Sequence, residues 1–180
     1  MTALPAAPNV EIKKATFEAV AAIAYILHES FAEFESLYTP AAFAATTPTA
    51  QQIRDRWNEG PVWVAIQKGA IVGTVGAVPK DLGLCVRSMA VHPAARGQGI
   101  AVQLLKEVEA FANHDHHKRL FLSTTPFLED AIRLYERFGF QQSVEGPQDL
   151  FGTPLFTMVK GLELASGESG AQIKEIKLNE

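Results

Sequence analysis

The chain has 180 residues, of which 47% are apolar and 20% are charged, so we expect one folded domain, or at most two small ones, and exclude disorder of the whole chain. Its 16 basic and 20 acidic side chains give a net charge of −4, which excludes a globally basic nucleic-acid binder, and the single cysteine, Cys85, excludes an internal disulfide framework and a multi-cysteine zinc site. No apolar run approaches the ~20 residues of a membrane span and no secretory signal pattern is present, so we expect a cytoplasmic protein that binds neither membrane nor nucleic acid.

The N-terminal third of the sequence predicts one strand followed by two helices. Residues 1–8 are rich in proline and alanine and are predicted to be flexible, whereas Val10–Lys14 is predicted to form a short strand. A helix is predicted from Thr16 to about Tyr38, because apolar residues recur there at spacings of three and four. A shorter helix is predicted over Thr49–Asn58, between segments that contain proline and glycine.

The rest of the sequence alternates between strand-like and helical segments. The strands are predicted over Val62–Gln67, Ala70–Val78, Leu84–Val91, Arg119–Ser123, Phe140–Val144 and Pro154–Lys160. Helices are predicted over residues 99–113 and over Leu128–Phe138, and Gly139 ends the second helix where a left-handed C-cap is expected. This order predicts a mixed α/β domain over residues 9–160.

A C-terminal tail follows the predicted domain. Residues 161–180 mix glycine, serine and charged side chains, so most of this segment is predicted to be disordered. Within it, Gln172–Leu178 alternates between apolar and polar residues and is a candidate for one added strand.

The segment from Ser88 to Ala101 has the features of an anion-binding loop. A buried strand ends there, Arg96 follows, and Gly97 and Gly99 open an amphipathic helix. The first N–H groups of a helix have no partner within the helix, and glycine lets a phosphate approach the backbone closely. Arg96 adds a permanent cation. This pattern favours a pyrophosphate ligand over the alternative that the two glycines only shape a turn.

Two common nucleotide-binding motifs do not fit this segment. A dinucleotide fingerprint requires a third small residue where Val102 stands, and an acidic residue about twenty positions further, where 120–122 reads Leu-Phe-Leu. A nucleoside-triphosphate loop requires Gly-Lys-Ser/Thr, which the sequence does not contain. A nucleotide-dependent enzyme is therefore disfavoured.

Two blocks of sequence resemble the GNAT family of N-acyltransferases. Arg96-Gly97-Gln98-Gly99-Ile100-Ala101 matches the family signature Arg/Gln-x-x-Gly-x-Gly/Ala, and a second family-like block, 130–140, begins about thirty residues further along. The resemblance covers about residues 9–160. It implies the GNAT acyl-CoA N-acyltransferase fold, an α/β domain with a mixed central sheet of about six to seven strands flanked by about four helices.

The resemblance implies acetyl-CoA as co-substrate and no metal. The coenzyme would lie in a V-shaped gap between the strand 84–91 and the strand near 119–124. Within the segment Met89-Ala90-Val91, the backbone groups of Met89 and Val91 would pair with the pantetheine arm. The backbone N–H groups from Arg96 to Ala101 would bind the pyrophosphate.

The same resemblance implies that Tyr135 is the general acid that protonates the departing thiolate. A phenol with a pKa near 10 carries its proton at pH 7 and suits this role. The alternative is that Tyr135 is simply a core residue, because it shares a helical stripe with Leu128 and Ile132.

Two positions depart from the family pattern. Leu128 stands near the place where many relatives have an asparagine that binds the pantetheine, so we expect Thr124, or one of its neighbours Ser123 and Thr125, to substitute for it. Cys85 stands where some relatives have a glutamate base, and a thiol is a poor base toward an ammonium group. The base therefore lies elsewhere, or a water chain removes the proton. Three further acidic residues have no spacing argument behind them: Glu33, Glu35 and Asp81.

The expected reaction is direct transfer of the acetyl group to a primary amine of a small molecule or a peptide. The segment Phe31–Thr49 either forms a wall of the acceptor pocket or packs in the core.

A non-catalytic acyl-CoA-binding or interaction module on the same fold is the alternative, motivated by Leu128 and Cys85. The fold also allows a homodimer, through a sheet edge or the C-terminal strand. The histidines near residue 115 have no standard metal-ligand spacing and are expected to be solvated.

Overall fold

The computed structural model describes residues 9–163, which form a seven-stranded sheet with helices on both faces and a separate two-stranded ribbon. The strands are β1 Val10–Lys14, β2 Val62–Gln67, β3 Ala70–Lys80, β4 Gly83–Val91, β5 Arg119–Thr124, β6 Gln141–Ser143, β7 Asp149–Leu150, β8 Thr153–Pro154 and β9 Phe156–Gly161. The α-helices are α1 Val20–Phe31, α2 Pro40–Thr46, α3 Ala50–Asp55, α4 Ile100–His114 and α5 Glu129–Phe138. Short 3₁₀ segments lie at Phe17–Ala19, Ala32–Leu37, Trp57–Glu59 and Pro93–Ala95.

The main sheet has the strand order β1-β2-β3-β4-β5-β9-β6. All of its neighbouring strands are antiparallel except β4 and β5, which are parallel. The ribbon consists of β7 and β8. The prediction of a mixed α/β sheet of about six to seven strands is thus confirmed.

Alternate residues of the central strands pack against different helices, as the pleat of a strand requires. In β2, Trp63 and Ala65 belong to the core cluster that contains Leu104 of α4, whereas Val64 belongs to the cluster that contains Leu27 of α1. Because neighbouring side chains of a strand point to opposite faces, α1 and α4 cover opposite faces of the sheet. Both faces of the central strands are therefore buried.

One α-helix of the structure was not predicted from the sequence. Helix α2 begins at Pro40, between the first two predicted helices. Proline is favoured in the first turn of a helix, where its missing N–H would have no partner in any case. The preceding residue, Thr39, caps the helix by accepting a hydrogen bond from the N–H of Ala42 at 3.2 Å. The structure accordingly has five α-helices within residues 9–163, where about four were expected.

The predicted first helix also ends earlier than expected. It is α-helical only to Phe31, and Ala32–Leu37 continues it as a 3₁₀ helix.

No α-helix within residues 9–163 has the length and apolar character needed to cross a membrane. Two predicted features, the flexible segment 1–8 and the strand Gln172–Leu178, lie outside the described residues.

Leu104 tests how much the packing of α4 contributes to stability. Its side chain is fully buried, and its Cδ1 lies 3.2 Å from the position that a Cβ on Gly73 of β3 would occupy. We expect Leu104→Ala to lower the free energy of unfolding by about 2–5 kcal/mol, because the cavity can close only in part. Chemical denaturation measures the change, and Lys106→Ala, at an exposed position of the same helix, is the control. Equal stability of the two variants would contradict the packing described here.

Candidate active site

The sheet opens between β4 and β5. Only two residue pairs connect these parallel strands, Leu84 with Leu120 and Cys85 with Phe121, and beyond them the strands separate. A β-bulge in the pairing of β3 with β4 lies beyond these pairs, between Arg87 and Ala90, and Ser88 within it has a left-handed φ of 51°. Because a bulge bends its strand and increases the local twist, it directs the second half of β4 away from β5. One edge of β4 is therefore left without a partner strand along the gap.

A cavity of about 740 Å³ lies beside the unpaired end of β4, faces Phe127 and Leu128 after β5, and extends along the first turn of α4 to α5. It is lined by Tyr135 and by eight of the ten residues that the sequence predicts to bind the cofactor. The two that do not line it are Gln98 and Thr124. The structure thus brings the two family-like blocks of sequence together across one cavity.

The loop before α4 has the geometry of an anion-binding site. Gly97 and Gly99 have left-handed φ angles of 76° and 74°. A Cβ added at either position would meet no atom within 4 Å, so the backbone angle requires glycine and the space above it is open. Among the described residues, no side chain caps α4, and the N–H groups of Gly99 and of the first turn up to Val102 have no acceptor. These N–H groups give the loop a partial positive charge.

Gln98 lies between the two glycines but turns away from the cavity. Its side-chain oxygen accepts a hydrogen bond from Nε2 of Gln67, at the end of β2, over 2.7 Å. This contact fixes the loop against the neighbouring hairpin. Gln98 therefore contributes to the position of the glycines rather than to the lining of the cavity.

Arg96 connects the loop to the end of α1. Its guanidinium forms an ion pair with Glu33 and donates to the carbonyl oxygen of Ser30 at 2.9 Å. Its Nε donates to the carbonyl oxygen of Val91 at 3.4 Å, and its backbone N–H to that of Pro93 at the same distance. The charge of Arg96 is thus balanced by Glu33, a partner 63 residues away in the chain that the sequence does not reveal.

Two further arginines line the cavity and were not predicted. Arg133 and Arg137 lie one turn apart on α5. Arg133 donates to Asp130 at 2.8 Å, and this hydrogen bond, with smaller contributions from the charges of Arg96 and Arg137, holds the pKa of the Asp130 carboxyl below its usual value. Arg137 has no ion-pair partner within residues 9–163. Arg133 and Arg137 are four residues apart in a segment predicted to be helical, and this spacing predicts that they share one face of the helix.

Tyr135 is both a core residue and a cavity residue. Its side chain is 9% exposed, its ring packs at 5.8 Å from that of Phe140, and it lines the cavity from α5. Burial, with a smaller effect of nearby Tyr38, raises the pKa of Tyr135 to about 12. The two interpretations of Tyr135 are therefore compatible, and its hydroxyl carries its proton at neutral pH.

A second buried tyrosine, Tyr38, lies near Tyr135. It is 8% exposed, and its ring packs edge-on against Phe127 with 4.8 Å between the ring centroids. Burial raises the pKa of Tyr38, while the hydroxyls of Thr125 and Thr46 oppose the rise. Tyr38 has no separate role in the sequence analysis, because it comes from the segment before α2, 97 residues away from Tyr135.

The positions that depart from the family pattern lie around the same gap. Leu128 lines the cavity, whereas Thr124 is 5% exposed and pairs with Phe156 of β9. Cys85 lies at the closed end of the gap, and burial raises the pKa of its thiol. A thiol with a raised pKa carries its proton at pH 7, so Cys85 is unsuited to the role of a base. The acidic residues Glu33, Glu35 and Asp81 do not line the cavity.

The sequence matches a family model described as "Acetyltransferase (GNAT) family" over residues 26–140. It is 29% identical over 136 residues to an Escherichia coli (strain K12) protein named Uncharacterized N-acetyltransferase YjgM, a match that covers 72% of this chain and 81% of that protein. It is 40% identical over 90 residues to the mouse (Mus musculus) protein named Probable N-acetyltransferase family 8 member 5. That match covers 47% of this chain and 40% of the mouse protein, so the chain matches less than half of that relative.

The fold is similar to that of solved structures. One is the PaiA N-acetyltransferase of Thermoplasma acidophilum, crystallised in complex with coenzyme A, with a TM-score of 0.71 and 15% sequence identity. The match covers 86% of this chain and 99% of that one. At this identity the likeness describes the fold, and the fold agrees with the family model.

Proposed function

The chain belongs to the acetyltransferase (GNAT) family, and we propose on that basis that it binds acetyl-CoA in the gap between β4 and β5 and transfers the acetyl group directly to a primary amine. One observation carries the proposal. The two strands are paired at only two positions, and the gap beyond them leads to the uncapped first turn of α4. A long, narrow ligand with a diphosphate in its middle and a reactive end fits this arrangement.

The coenzyme would lie with its pantetheine arm along the unpaired edge of β4, beside Met89 and Val91. Its diphosphate would accept hydrogen bonds from the N–H groups of Gly99, Ile100 and Ala101, which have no acceptor among residues 9–163. The carbonyl of Val91 already accepts from the hydroxyl of Ser30 at 3.1 Å, so the other backbone groups of this segment are the better partners for the arm. Backbone atoms would therefore make most of the contacts of the protein with the coenzyme.

Arg137 would provide the cation for a phosphate group of the coenzyme, because it lines the cavity without an ion-pair partner in the described chain. We expect Arg137→Glu to weaken the binding of coenzyme A about tenfold at low salt, by loss of one charge-assisted contact, and the difference to shrink as salt is added. Isothermal titration calorimetry measures the dissociation constant. The control is Lys106→Glu, which makes the same charge change at an exposed position of α4. Equal effects of both variants would remove Arg137 from the site.

The chemistry would consist of one displacement at the thioester. The neutral amine attacks the carbonyl carbon, the C–N bond forms, and the C–S bond breaks as the electron pair moves to sulfur. The hydroxyl of Tyr135 gives its proton to the departing thiolate and regains one from solvent, while the new amide nitrogen loses its extra proton to water. Holding the two reactants in position is the largest expected contribution, up to about 7–11 kcal/mol in favourable intramolecular cases.

A panel of primary amines tests the proposed reaction. Incubation with acetyl-CoA should release free coenzyme A only when a suitable amine is present, and mass spectrometry should find one added acetyl group on that amine. The alternative is a non-catalytic acyl-CoA-binding module, which Leu128 and Cys85 at the departing positions favour. Tight binding of acetyl-CoA without acetylation of any amine would support the module and contradict the enzyme.

A further inference from the structure

We propose that the acceptor amine carries a flat apolar group, such as a phenyl ring, which binds against the rings of Phe34 and Phe127. This inference rests on the proposed acetyl transfer and adds a substrate class to it. The two rings come from separate parts of the chain, Phe34 from the 3₁₀ segment after α1 and Phe127 from the segment between β5 and α5. Both line the cavity, and both are half-buried.

The two rings form an aromatic wall in the cavity that the proposed proton donor, Tyr135, also lines. The centroids of Phe34 and Phe127 lie 6.3 Å apart, with 28° between the ring planes. The next ring is that of Tyr38, which meets Phe127 edge-on. Tyr38 itself does not line the cavity, whereas Phe34, Phe127 and Tyr135 all do. A group bound on the rings of Phe34 and Phe127 would therefore lie in the same cavity as Tyr135.

The polar groups at the same end of the cavity already have partners. The guanidinium of Arg96 is paired with Glu33, and the two carboxylates that line the cavity, Glu129 and Asp130, are paired with Arg133. A substrate with a second ammonium group would have to compete with Arg133 for Glu129 or Asp130, and a carboxylate would have to compete with Glu33 for Arg96. An apolar group needs no such exchange, because it gains by covering the half-exposed rings. The observations therefore favour an aromatic amine over a polyamine or an amino acid.

Two amines that differ in the apolar group test the inference. We expect kcat/KM for 2-phenylethylamine to exceed that for n-propylamine by about tenfold to a hundredfold, because a ring buries much more apolar area than a methyl group. Phe34→Ala and Phe127→Ala should remove most of this preference, by lowering kcat/KM for 2-phenylethylamine far more than that for n-propylamine, and circular dichroism shows whether each variant is folded. Phe34→Leu and Phe127→Leu replace any alanine variant that fails to fold.

The matched control is Phe17→Ala, because Phe17 is 52% exposed and packs on Trp57 rather than lining the cavity. It should retain the full preference for 2-phenylethylamine. Equal kcat/KM for the two amines in the wild type, or a preference that survives in both alanine variants, would overturn the inference while acetyl transfer itself stands.

Absence of turnover with every amine would contradict the proposed function, and direct binding then decides the inference separately. Each amine is titrated into the protein saturated with coenzyme A. Binding of 2-phenylethylamine but not of n-propylamine, lost in Phe34→Ala and Phe127→Ala, would support the aromatic site. Equal binding of both amines, or binding of neither, would overturn it.

Discussion

Replacing Tyr135 with phenylalanine is expected to lower kcat by about 100-fold to 10,000-fold, the usual contribution of a positioned general acid. The substitution removes only the hydroxyl, and the ring can keep its packing against Phe140. The dissociation constant for acetyl-CoA should change little, since the proposed contacts with the coenzyme are made by other residues. Steady-state kinetics at pH 7 measure kcat, and calorimetry measures the affinity.

The control for this variant is Tyr25→Phe. Tyr25 lies on α1, is 56% exposed and stacks on His92, so the same chemical change occurs away from the proposed reacting centre. It should leave kcat unchanged. If Tyr135→Phe also retains the wild-type kcat at neutral pH, Tyr135 is a packing residue and the thiolate obtains its proton from elsewhere.

The raised pKa of Tyr135 also predicts a pH dependence. With the pKa at about 12, the hydroxyl keeps its proton throughout the range from pH 7 to 10, so kcat should not fall there through loss of the acid. The folded-state pKa lies above the unfolded value near 10, so the folded state binds this proton more tightly. Its effect on the free energy of unfolding is constant below pH 10, and the protein should lose stability as the pH rises from 10 to 12. Denaturation of the wild type and of Tyr135→Phe in that range compares the two slopes, and equal slopes would contradict the shift.

The second large effect is expected at Gly99. Gly99→Ala would place a methyl group in the open space above the N–H groups that are proposed to bind the diphosphate. We expect the affinity for coenzyme A to fall tenfold or more, on the order of 1.4 kcal/mol or above. The left-handed φ of 74° adds a strain of about 1–2 kcal/mol, which lowers stability separately from binding.

The β2–β3 turn offers a matched control for that strain. Gly69 has a φ of 80°, and a Cβ there would also meet no atom within 4 Å. Gly69→Ala should therefore lose a similar amount of stability, measured by thermal denaturation, and keep the wild-type affinity for coenzyme A. An equal loss of affinity in both variants would show that the effect at Gly99 comes from instability and not from the proposed contact.

The sequence predicts best those parts of the fold whose signal is local. β1 and β2 begin and end where predicted, because short runs of apolar and β-branched residues are bounded by turn residues. Gly139 ends α5 with a φ of 104°, as its place after a helical stripe predicts. The ribbon of β7 and β8 was not predicted, because each strand has two residues and its position depends on Thr39, whose hydroxyl donates to the carbonyl of Phe151 at 2.7 Å. A contact across 112 residues leaves no local pattern.

The difference between local and long-range signals also explains which parts of the candidate site could be predicted. The loop around Gly97 and Gly99 was predicted, because the glycines and the helix that follows are contiguous in the chain. The ion pair of Arg96 with Glu33 was not, since it depends on how α1 packs on the sheet. Tyr38 beside Tyr135 likewise depends on the position of the segment before α2. Sequence thus identified the elements that we propose to bind a diphosphate, while the surroundings of Tyr135 required the fold.

The central claim is that backbone N–H groups at the start of α4 bind the diphosphate of coenzyme A. A crystal structure of the protein grown with coenzyme A tests it most directly. We predict phosphate oxygens within about 3 Å of the N–H nitrogens of Gly99, Ile100 and Ala101, with the pantetheine arm between β4 and β5 and its sulfur near the hydroxyl of Tyr135. Coenzyme A bound elsewhere, or a gap between the strands that stays closed to it at saturating concentration, would contradict the account.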